Sequence, residues 1–414
     1  MSFSRYPKYK DSGVEWLGEV PECWGVTRIS RLFNIKAGGD IKEQFFSVNC
    51  TEKYCYPIYT NTIKSDVIYG FTSKAFFPGN TITVTGRGDI GYAVYRDHPY
   101  DAIIRLLVLT PKNNDSCKYS MYFINSILNF HGGNTAISQL STEQISPYLI
   151  LNPPLQEQFA IATFLDRETA KMDALVAEQE KLIAILKEKR QAVISHAVTK
   201  GLDPSVPMKD SGVEWLGEVP ECWGIKPLKY VVLMKSGDQI TAEDINESGE
   251  YPVFGGNGLR GYVPIYTHDG WFPLIGRQGA LCGNVNYAMG KFWASEHAVV
   301  VTPQTDCNIL WLGELLRTMN LGKYSITAAQ PGLSVDVIRN LRIPFPKISE
   351  QRTIASFLDR ETAKIDSLTA EAERGIVLLK ERRSALISAA VTGEIDVRAF
   401  LQIPTNAQPW RTHD

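Results

Sequence analysis

The sequence predicts an α+β fold in which two pseudo-symmetric globular domains are separated by two long antiparallel coiled-coil helices. The prediction rests first on an internal repeat, because the 16 residues from Lys10 to Gly25 recur without change from Lys209 to Gly224. It rests also on the segment FLDRETAK, which occurs at 164–171 and again at 357–364. The two pairs of markers enclose stretches of similar length, as expected for two copies of one structural unit.

The repeat divides the chain into seven segments. They are an N-terminal conserved segment (1–25), a first globular domain (26–154), a first spacer helix (155–200), a repeated conserved segment with linker (201–224), a second globular domain (225–347), a second spacer helix (348–395) and a C-terminal tail (396–414). The frame is held almost fixed while the two domains that it carries have diverged. A constant frame that carries two divergent domains suits a protein whose domains recognise two different targets.

Each FLDRETAK segment lies in a long predicted helix. Residues 155–199 contain no glycine or proline and are rich in good helix formers. Apolar residues recur every seven positions, which is typical of a seam against another helix. In the first copy these are Leu165, Met172, Leu186 and Val193 with a second row at Leu175 and Leu182, and in the second copy Leu358, Ile365, Leu379 and Leu386 with Leu368. We expect antiparallel pairing; ordinary core helices are the alternative.

The composition is typical of a soluble protein with enough apolar residues to form hydrophobic cores. Hydrophobic residues make up 44% and charged residues 21%, and no apolar run is long enough for a membrane span. The N-terminus lacks a secretory signal and the seven cysteines are scattered, which predicts a reducing cytoplasm. The net charge of −2 counts mildly against a nucleic-acid binder, although the charge of one face matters more than the sum.

Both domains alternate short β-rich runs with glycine and asparagine turns, which predicts mostly antiparallel sheets. Polar loops beside glycine are the candidate DNA contacts, because arginine can pair with guanine and asparagine or glutamine with adenine. The candidates are Asn61, Lys64 and Arg87 in the first domain and Asn257, Arg260, Tyr262, Arg277 and Gln278 in the second. The alternative interpretation is that these loops are merely hairpin turns.

No catalytic centre is predicted. Asn152-Pro153-Pro154-Leu155 imitates an adenine methyltransferase motif, but Leu155 stands where an aromatic residue should stack on a flipped base. The sequence has no phosphate-binding Walker loop, and its six histidines show no metal-ligand spacing.

The repeated motifs resemble those of a known family. Two motifs, KDSGVEWLGEVPECW before each domain and EQ-x5-FLDRETAK opening each helix at Glu157-Gln158 and Glu350-Gln351, are similar to those of the specificity subunit of Type I restriction-modification enzymes. The resemblance implies two target-recognition domains, each reading one half of a bipartite, asymmetric site in double-stranded DNA. It also implies two modification subunits that carry S-adenosylmethionine, and restriction subunits that use ATP and Mg²⁺.

The conserved segments and the helix seam are the expected contacts with these partners. The candidate residues are Trp16, Leu165, Met172, Leu186, Trp215, Leu358, Ile365 and Leu379. The alternative function is a protein scaffold that does not bind DNA and holds two proteins on its twin domains. Salt-sensitive, sequence-dependent DNA binding would distinguish recognition from scaffolding.

Overall fold

The computed structural model describes residues 4–63, 67–130, 139–279, 281–325 and 332–400. These residues form two compact units, one built from Met1–Glu178 with Gly375–Asp414 and the other from Gln179–Arg374. Each long helix therefore contributes one half to each unit. In the described ranges, no helix has both the length and the apolar character needed to cross a membrane.

The first unit carries the first globular domain. Its elements are β1 (Tyr9–Asp11), β2 (Glu19–Pro21), β3 (Gly25–Arg28), α1 (Ile29–Leu32), β4 (Phe33–Ala37), β5 (Phe46–Ser47), β6 (Tyr56–Tyr59), β7 (Gly70–Thr72), β8 (Thr81–Val84), β9 (Ala93–Arg96), β10 (Asp101–Ala102), β11 (Leu107–Pro111), α2 (Cys117–Ile127), α3 (Thr142–Ile145), β12 (Leu149–Asn152) and the first part of α4 (Leu155–Lys200). Its described strands form an antiparallel sheet of order β4-β11-β8-β9, a second four-stranded sheet of order β10-β6-β7-β5, in which β10 and β6 are parallel, and the strand pairs β1-β2 and β12-β3.

The second unit carries the second globular domain. Beyond the rest of α4 it contains β13 (Met208–Asp210), β14 (Glu218–Pro220), β15 (Gly224–Pro227), β16 (Val232–Ser236), β17 (Tyr251–Gly255), β18 (Gly258–Val263), β19 (His268–Gly276), β20 (Val285–Ala294), β21 (Ala298–Pro303), α5 (Ile309–Thr318), α6 (Val335–Ile338), β22 (Arg342–Phe345) and the first part of α7 (Ile348–Thr392). Its described strands include one sheet of order β16-β21-β19-β20-β17-β18. Mostly antiparallel pairing confirms the predicted α+β class.

The two long helices pair antiparallel within each unit. In the first unit Asp173 and Arg383 form an ion pair at 3.0 Å, and in the second Arg190 and Asp366 do so at 2.9 Å. The contact partner on α7 moves from Arg383 to Asp366 as the residue on α4 moves from Asp173 to Arg190, so the two helices run in opposite directions. Asp173 and Asp366 are equivalent positions of the repeat, as are Arg190 and Arg383. The same contact is thus made once in each unit.

One predicted row of the helix seam is wrong. The main row is buried as expected at Leu165, Met172, Leu186, Leu358, Ile365 and Leu386. By contrast, Leu175, Leu182 and Leu368 are 51%, 43% and 50% exposed. The companion row lies one residue further along, at the half-buried Val176 and Ile183. A heptad seam alternates steps of three and four residues, and the pattern leaves open which step follows the main row.

The glutamine of each EQ motif anchors its helix to the preceding domain. The Gln158 side-chain oxygen accepts from the backbone N–H of Ser116 at 2.9 Å, and the Gln158 amide donates to the carbonyl of Pro153 at 3.0 Å. In the second copy, Gln351 bonds the N–H of Asn308 and the carbonyl of Pro346, both at 2.9 Å. The EQ motif therefore has the same structural role in both copies of the repeat, which is to fix the start of the long helix to its domain.

Replacing Gln158 with alanine is expected to lower the free energy of unfolding by about 1–3 kcal/mol, because buried backbone groups lose their partners. Denaturant unfolding of the purified chain measures this change. The matched control is Gln156→Ala, which removes an exposed side chain from the same turn and is expected to leave stability unchanged. Equal effects of the two substitutions would contradict the anchoring role.

Candidate nucleic-acid interface

In the first domain, Asn61 joins three loops. Its side-chain oxygen accepts from the backbone N–H of Gly86 at 2.7 Å and of Arg87 at 3.3 Å. Its side-chain amide donates to the carbonyl of Ile104 at 2.6 Å. The polar atoms of Asn61 are therefore used within the domain. Asn61 thus holds neighbouring loops together, and the base contact that the sequence suggested for it stays a prediction.

Arg87 is exposed in the loop that follows β8. Its guanidinium donates to the Gln139 side-chain oxygen at 3.0 and 3.3 Å. This contact orients the cation and leaves donors of the guanidinium available for a ligand. Gln139 did not emerge from the sequence, although it directly precedes Leu140-Ser141, which is echoed by Leu333-Ser334 in the second copy.

The third loop is a tight turn between β10 and β11. The N–H of Leu106 donates to the carbonyl of Ile103 at 3.1 Å, and the residues between them, Ile104 and Arg105, have φ of 55° and 58°. Both side chains are exposed. Sequence reasoning missed this turn because neither isoleucine nor arginine favours positive φ.

Buried aromatic and cationic groups support the end of β6. The Arg96 guanidinium lies 3.5 Å from the centroid of the Tyr59 ring, and the Tyr59 hydroxyl lies 2.9 Å from Nε2 of His98. Burial raises the pKa of Tyr59 and lowers the pKa of Arg96. Arginine remains protonated even when buried, so the contact between Arg96 and Tyr59 is a cation–π interaction. It supports the strand that leads to Asn61.

In the second domain, two glycines bring the predicted loops together. A Cβ on Gly256 would lie 3.3 Å from Cα of Gly276 and 2.9 Å from the carbonyl of His297. Gly256 belongs to the β17–β18 hairpin, and Gly276 ends β19. The two glycine-rich loops adjoin because neither carries a side chain at their contact. The hairpin interpretation is correct for the first loop, but a hairpin turn can still present side chains to a ligand.

Arg260 is the most available cation of this second cluster. It is exposed, and its side chain makes no hydrogen bond or ion pair with the part of the chain that the structure describes. A Cβ on Gly255 would lie 2.5 Å from Cδ of Arg260, so this glycine makes room for the arginine stem. Arg277 is half-buried, and its Nη1 donates to the Ser236 hydroxyl at 3.3 Å. Arg277 is thus partly committed to its own domain.

The remaining predicted residues divide by exposure. Asn257 and Gln278 are exposed, whereas Tyr262 is half-buried in β18 and its backbone pairs with Asn246. Lys64 lies outside the described residues. The structure therefore brings Asn61 to Arg87 in the first domain, and the loops of Asn257 and Arg277 together in the second.

The predicted partner contacts on the helices are covered by the chain itself. Leu165, Met172, Leu186, Leu358 and Ile365 are buried, and Leu379 is half-buried. Packing within the chain therefore uses the five buried side chains, which leaves a partner only the exposed part of Leu379.

The two tryptophans of the repeated segment differ in environment. Trp16 is 53% exposed and lines a groove of about 660 Å³ together with Ile127, Leu128 and Tyr148. Trp215 packs partly buried against the core of the second unit. Equal sequence therefore does not give equal availability to a partner.

The Asn152-Pro153-Pro154 fragment is part of the anchor between domain and helix. The Asn152 side-chain oxygen accepts from the Gln158 amide at 2.9 Å. Within the described ranges, no three His, Cys, Asp or Glu side chains are grouped so that they could hold a metal ion. The fragment thus has a structural explanation in helix entry.

Comparison with known proteins gives the family. The family model for the Type I restriction modification DNA specificity domain matches residues 21–184 and 220–374. The chain belongs to the family of Type I restriction-modification specificity subunits. This specificity subunit is a non-catalytic DNA-recognition component with two specificity domains, which favours recognition over the scaffold alternative.

Relatives and solved structures agree with this assignment. The EcoprrI specificity subunit of Escherichia coli is 33% identical over 307 residues, which are 71% of this chain and 74% of the relative. The EcoBI specificity subunit of Escherichia coli is 25% identical over 305 residues, 65% of this chain and 63% of the relative. A chain from a structure describing complex assembly and conformational transition of the type I R-M system has a TM-score of 0.67 at 16% identity, covering 91% of this chain and 99% of that one. The HsdS subunit from Thermoanaerobacter tengcongensis gives 0.52 at 15%, covering 91% and 98%. At these identities the structural likeness shows a shared fold.

Proposed function

We propose that each domain of this specificity subunit reads one half of a bipartite, asymmetric target in double-stranded DNA. The observation that carries the proposal is the pair of loop clusters, each of which presents an exposed arginine, Arg87 in the first domain and Arg260 in the second. Arg87 lies in a loop, whereas Arg260 lies in strand β18 just after the hairpin turn and not in the loop that the sequence predicted. Exposed arginines at positions fixed by a scaffold suit base contacts in a groove. The two clusters differ in residues, as two different half-sites require.

The proposal also assigns a role to the exposed apolar side chains of the long helices. Leu175, Val377 and Leu378 lie in the first unit, and Leu182, Ile185 and Leu368 lie in the second, each at least 43% exposed. Leu175 and Leu368 are equivalent positions of the repeat, as are Ile185 and Leu378. Apolar side chains that both copies of a helix leave exposed at equivalent positions favour contact with a partner protein.

These equivalent positions support two modification subunits, one at each copy of the repeat. The reaction chemistry would then come from partners, with S-adenosylmethionine on the modification subunits and ATP with Mg²⁺ on the restriction subunits. Partner subunits could also supply much of the phosphate contact, in keeping with the net charge of −2. Such a complex would work in the cytoplasm, where chromosomal DNA is available.

Methylation-sensitive sequencing of host DNA tests the proposed function directly. Strains with and without this gene should differ by one interrupted motif that is methylated in both halves. A matched pair of strains with identical methylation would overturn the proposal, whereas a single uninterrupted motif would overturn its two-reader form.

Replacing Arg87 or Arg260 with alanine is expected to weaken binding of the target by about 1–3 kcal/mol and to relax one base position. Affinities of the assembled methyltransferase for the target and for one-base variants measure both effects. Arg31→Ala is the control, because Arg31 is an exposed arginine in α1, next to the strand pair β3–β12 that leads into α4. Unchanged affinities in both variants would remove these loops from the interface.

A further inference from the structure

The turn formed by Ile103–Leu106 has side chains that its backbone disfavours. Two successive positive φ values define a type I′ turn, whose central positions are normally glycine or asparagine. Here they are Ile104, at φ 55°, and Arg105, at φ 58°. A β-branched residue in this region is strained, because its Cβ approaches the backbone. If the turn served only to connect β10 and β11, glycine or asparagine would suit it better.

The corresponding turn of the second domain lacks this strain. Gly38 and Gly237 occupy equivalent positions, since their N–H groups donate to the carbonyls of Leu106 and Ala298 respectively. The residues between Ser295 and Ala298 are therefore the counterparts of Ile104 and Arg105, and neither of them has positive φ. The fold can thus make this connection without left-handed residues, and the strained form is particular to the first domain.

The strained turn is held firmly by its surroundings. The N–H of Ile104 donates to the carbonyl of Gly39 at 3.0 Å, and that of Arg105 donates to Gly38 at 3.2 Å. The carbonyl of Ile104 accepts from Asn61 at 2.6 Å. Strained backbone persists where the surrounding structure over-determines it, and it concentrates at functional sites. The turn is therefore pre-ordered before any ligand arrives.

The two side chains themselves are free of the domain. Ile104 is 42% exposed, and Arg105 is exposed with no side-chain hydrogen bond or ion pair to any described residue. Asn61 connects the turn to the N–H of Arg87. The turn therefore displays an apolar group and a cation near Arg87, the arginine proposed above to contact DNA.

We infer that the Ile104–Arg105 turn is a specificity-determining DNA contact of the first domain. Arg105 contacts a base edge in the half-site, and Ile104 packs against an apolar base surface such as a thymine methyl group. This inference rests on the proposed function and deepens it. It explains why a strained turn keeps two side chains that weaken it.

Ile104→Gly distinguishes the effect of backbone strain on stability from the effect of the side chain on DNA binding. Glycine adopts φ near 55° without penalty, so the melting temperature of the chain is expected to stay the same or to rise. Affinity of the assembled methyltransferase for its target is expected to fall roughly 10-fold, because the apolar contact is lost. Arg105→Ala is expected to lower affinity about 10- to 100-fold and to relax one base position in one half-site.

The control is Asn80→Gly, which, like Ile104→Gly, puts glycine at a position of positive φ. Asn80 precedes β8, whereas Arg87 and the Ile104–Arg105 turn lie near the other end of that strand. Asn80 has φ 53° and is exposed. Its substitution should leave DNA affinity unchanged. Fluorescence anisotropy with the target, a one-base variant of each position and an unrelated duplex measures all four proteins.

The outcomes are distinguishable. Wild-type affinity in both turn variants would overturn the inference while leaving the proposed function intact. An equal loss on target and unrelated DNA for Arg105→Ala would make it a phosphate contact and overturn the assignment of specificity. A fall in melting temperature with Ile104→Gly would show that the isoleucine serves packing, which also overturns it. If the wild-type complex does not prefer its target, the proposed function itself fails.

Discussion

Exchanging residues 26–154 for the corresponding domain of another Type I specificity subunit is expected to change one half of the methylated motif and leave the other half intact. The first unit holds its own loop cluster, built from Asn61, Arg87 and the turn of Ile104, and this cluster is contained within the exchanged segment. Sequencing of methylated DNA from strains carrying the chimera measures the motif.

The exchange succeeds only if the new domain keeps the contacts with the frame. Asp166 on α4 accepts from the Tyr122 hydroxyl at 2.9 Å, and the Tyr119 hydroxyl donates to the carbonyl of Val391 at 3.1 Å. The donor segment should retain tyrosine at both positions, so that a folding failure is not mistaken for lost recognition. The matched exchange of residues 225–347 should change the other half of the motif. Simultaneous change of both halves in either chimera would rule out independent readers.

The ends of the long helices followed from sequence because glycine and proline mark them. The first helix spans Leu155–Lys200, the range predicted for the first spacer helix, with Pro153-Pro154 before it and Gly201 after it. The second was expected to reach residue 395 but ends at Thr392. Gly393 has φ 79°, and a Cβ there would lie 2.5 Å from Cγ of Pro21. Gly393 directly follows the last helical residue, and a glycine in the left-handed region is a common local signal for a helix end, so this end was also marked in the sequence. The close approach of Pro21 adds a tertiary constraint at the same position.

The loops of the candidate site were predictable as loops but not as contacts. Glycine and polar residues located the turns around Asn61 and Arg87, yet the same pattern cannot tell a side chain that faces a ligand from one that ties loops together. Asn61 ties loops together, since its hydrogen bonds to described residues are made to backbone groups. Arg105 was missed for the opposite reason, since the left-handed backbone that displays it contradicts local preference. Departures from local preference of this kind become visible only in three dimensions.

Two leucines on the same helix should separate stability from assembly. Leu165 is fully buried in the core of the first unit, whereas Leu175 is 51% exposed. Leu165→Ala is expected to lower the free energy of unfolding by about 2–5 kcal/mol, because it removes buried apolar contacts and leaves a cavity. Leu175→Ala is expected to change it by less than about 0.5 kcal/mol. Denaturant titration of both variants measures the difference.

Assembly with the modification subunits should depend on the exposed Leu175 and not on the buried Leu165. Leu175→Asp places a charge on the exposed apolar face and is expected to reduce co-purification of the modification subunit, while the secondary structure and melting temperature of the chain stay unchanged. Leu368→Asp alters the equivalent position of the repeat and should weaken the second docking site, so that the double variant retains neither subunit. Glu178→Ala, at an exposed polar position of the same helix, is the control and should assemble normally. Full assembly of the double aspartate variant would show that the modification subunits dock elsewhere, with the exposed Trp16 and its groove as the next surface to alter.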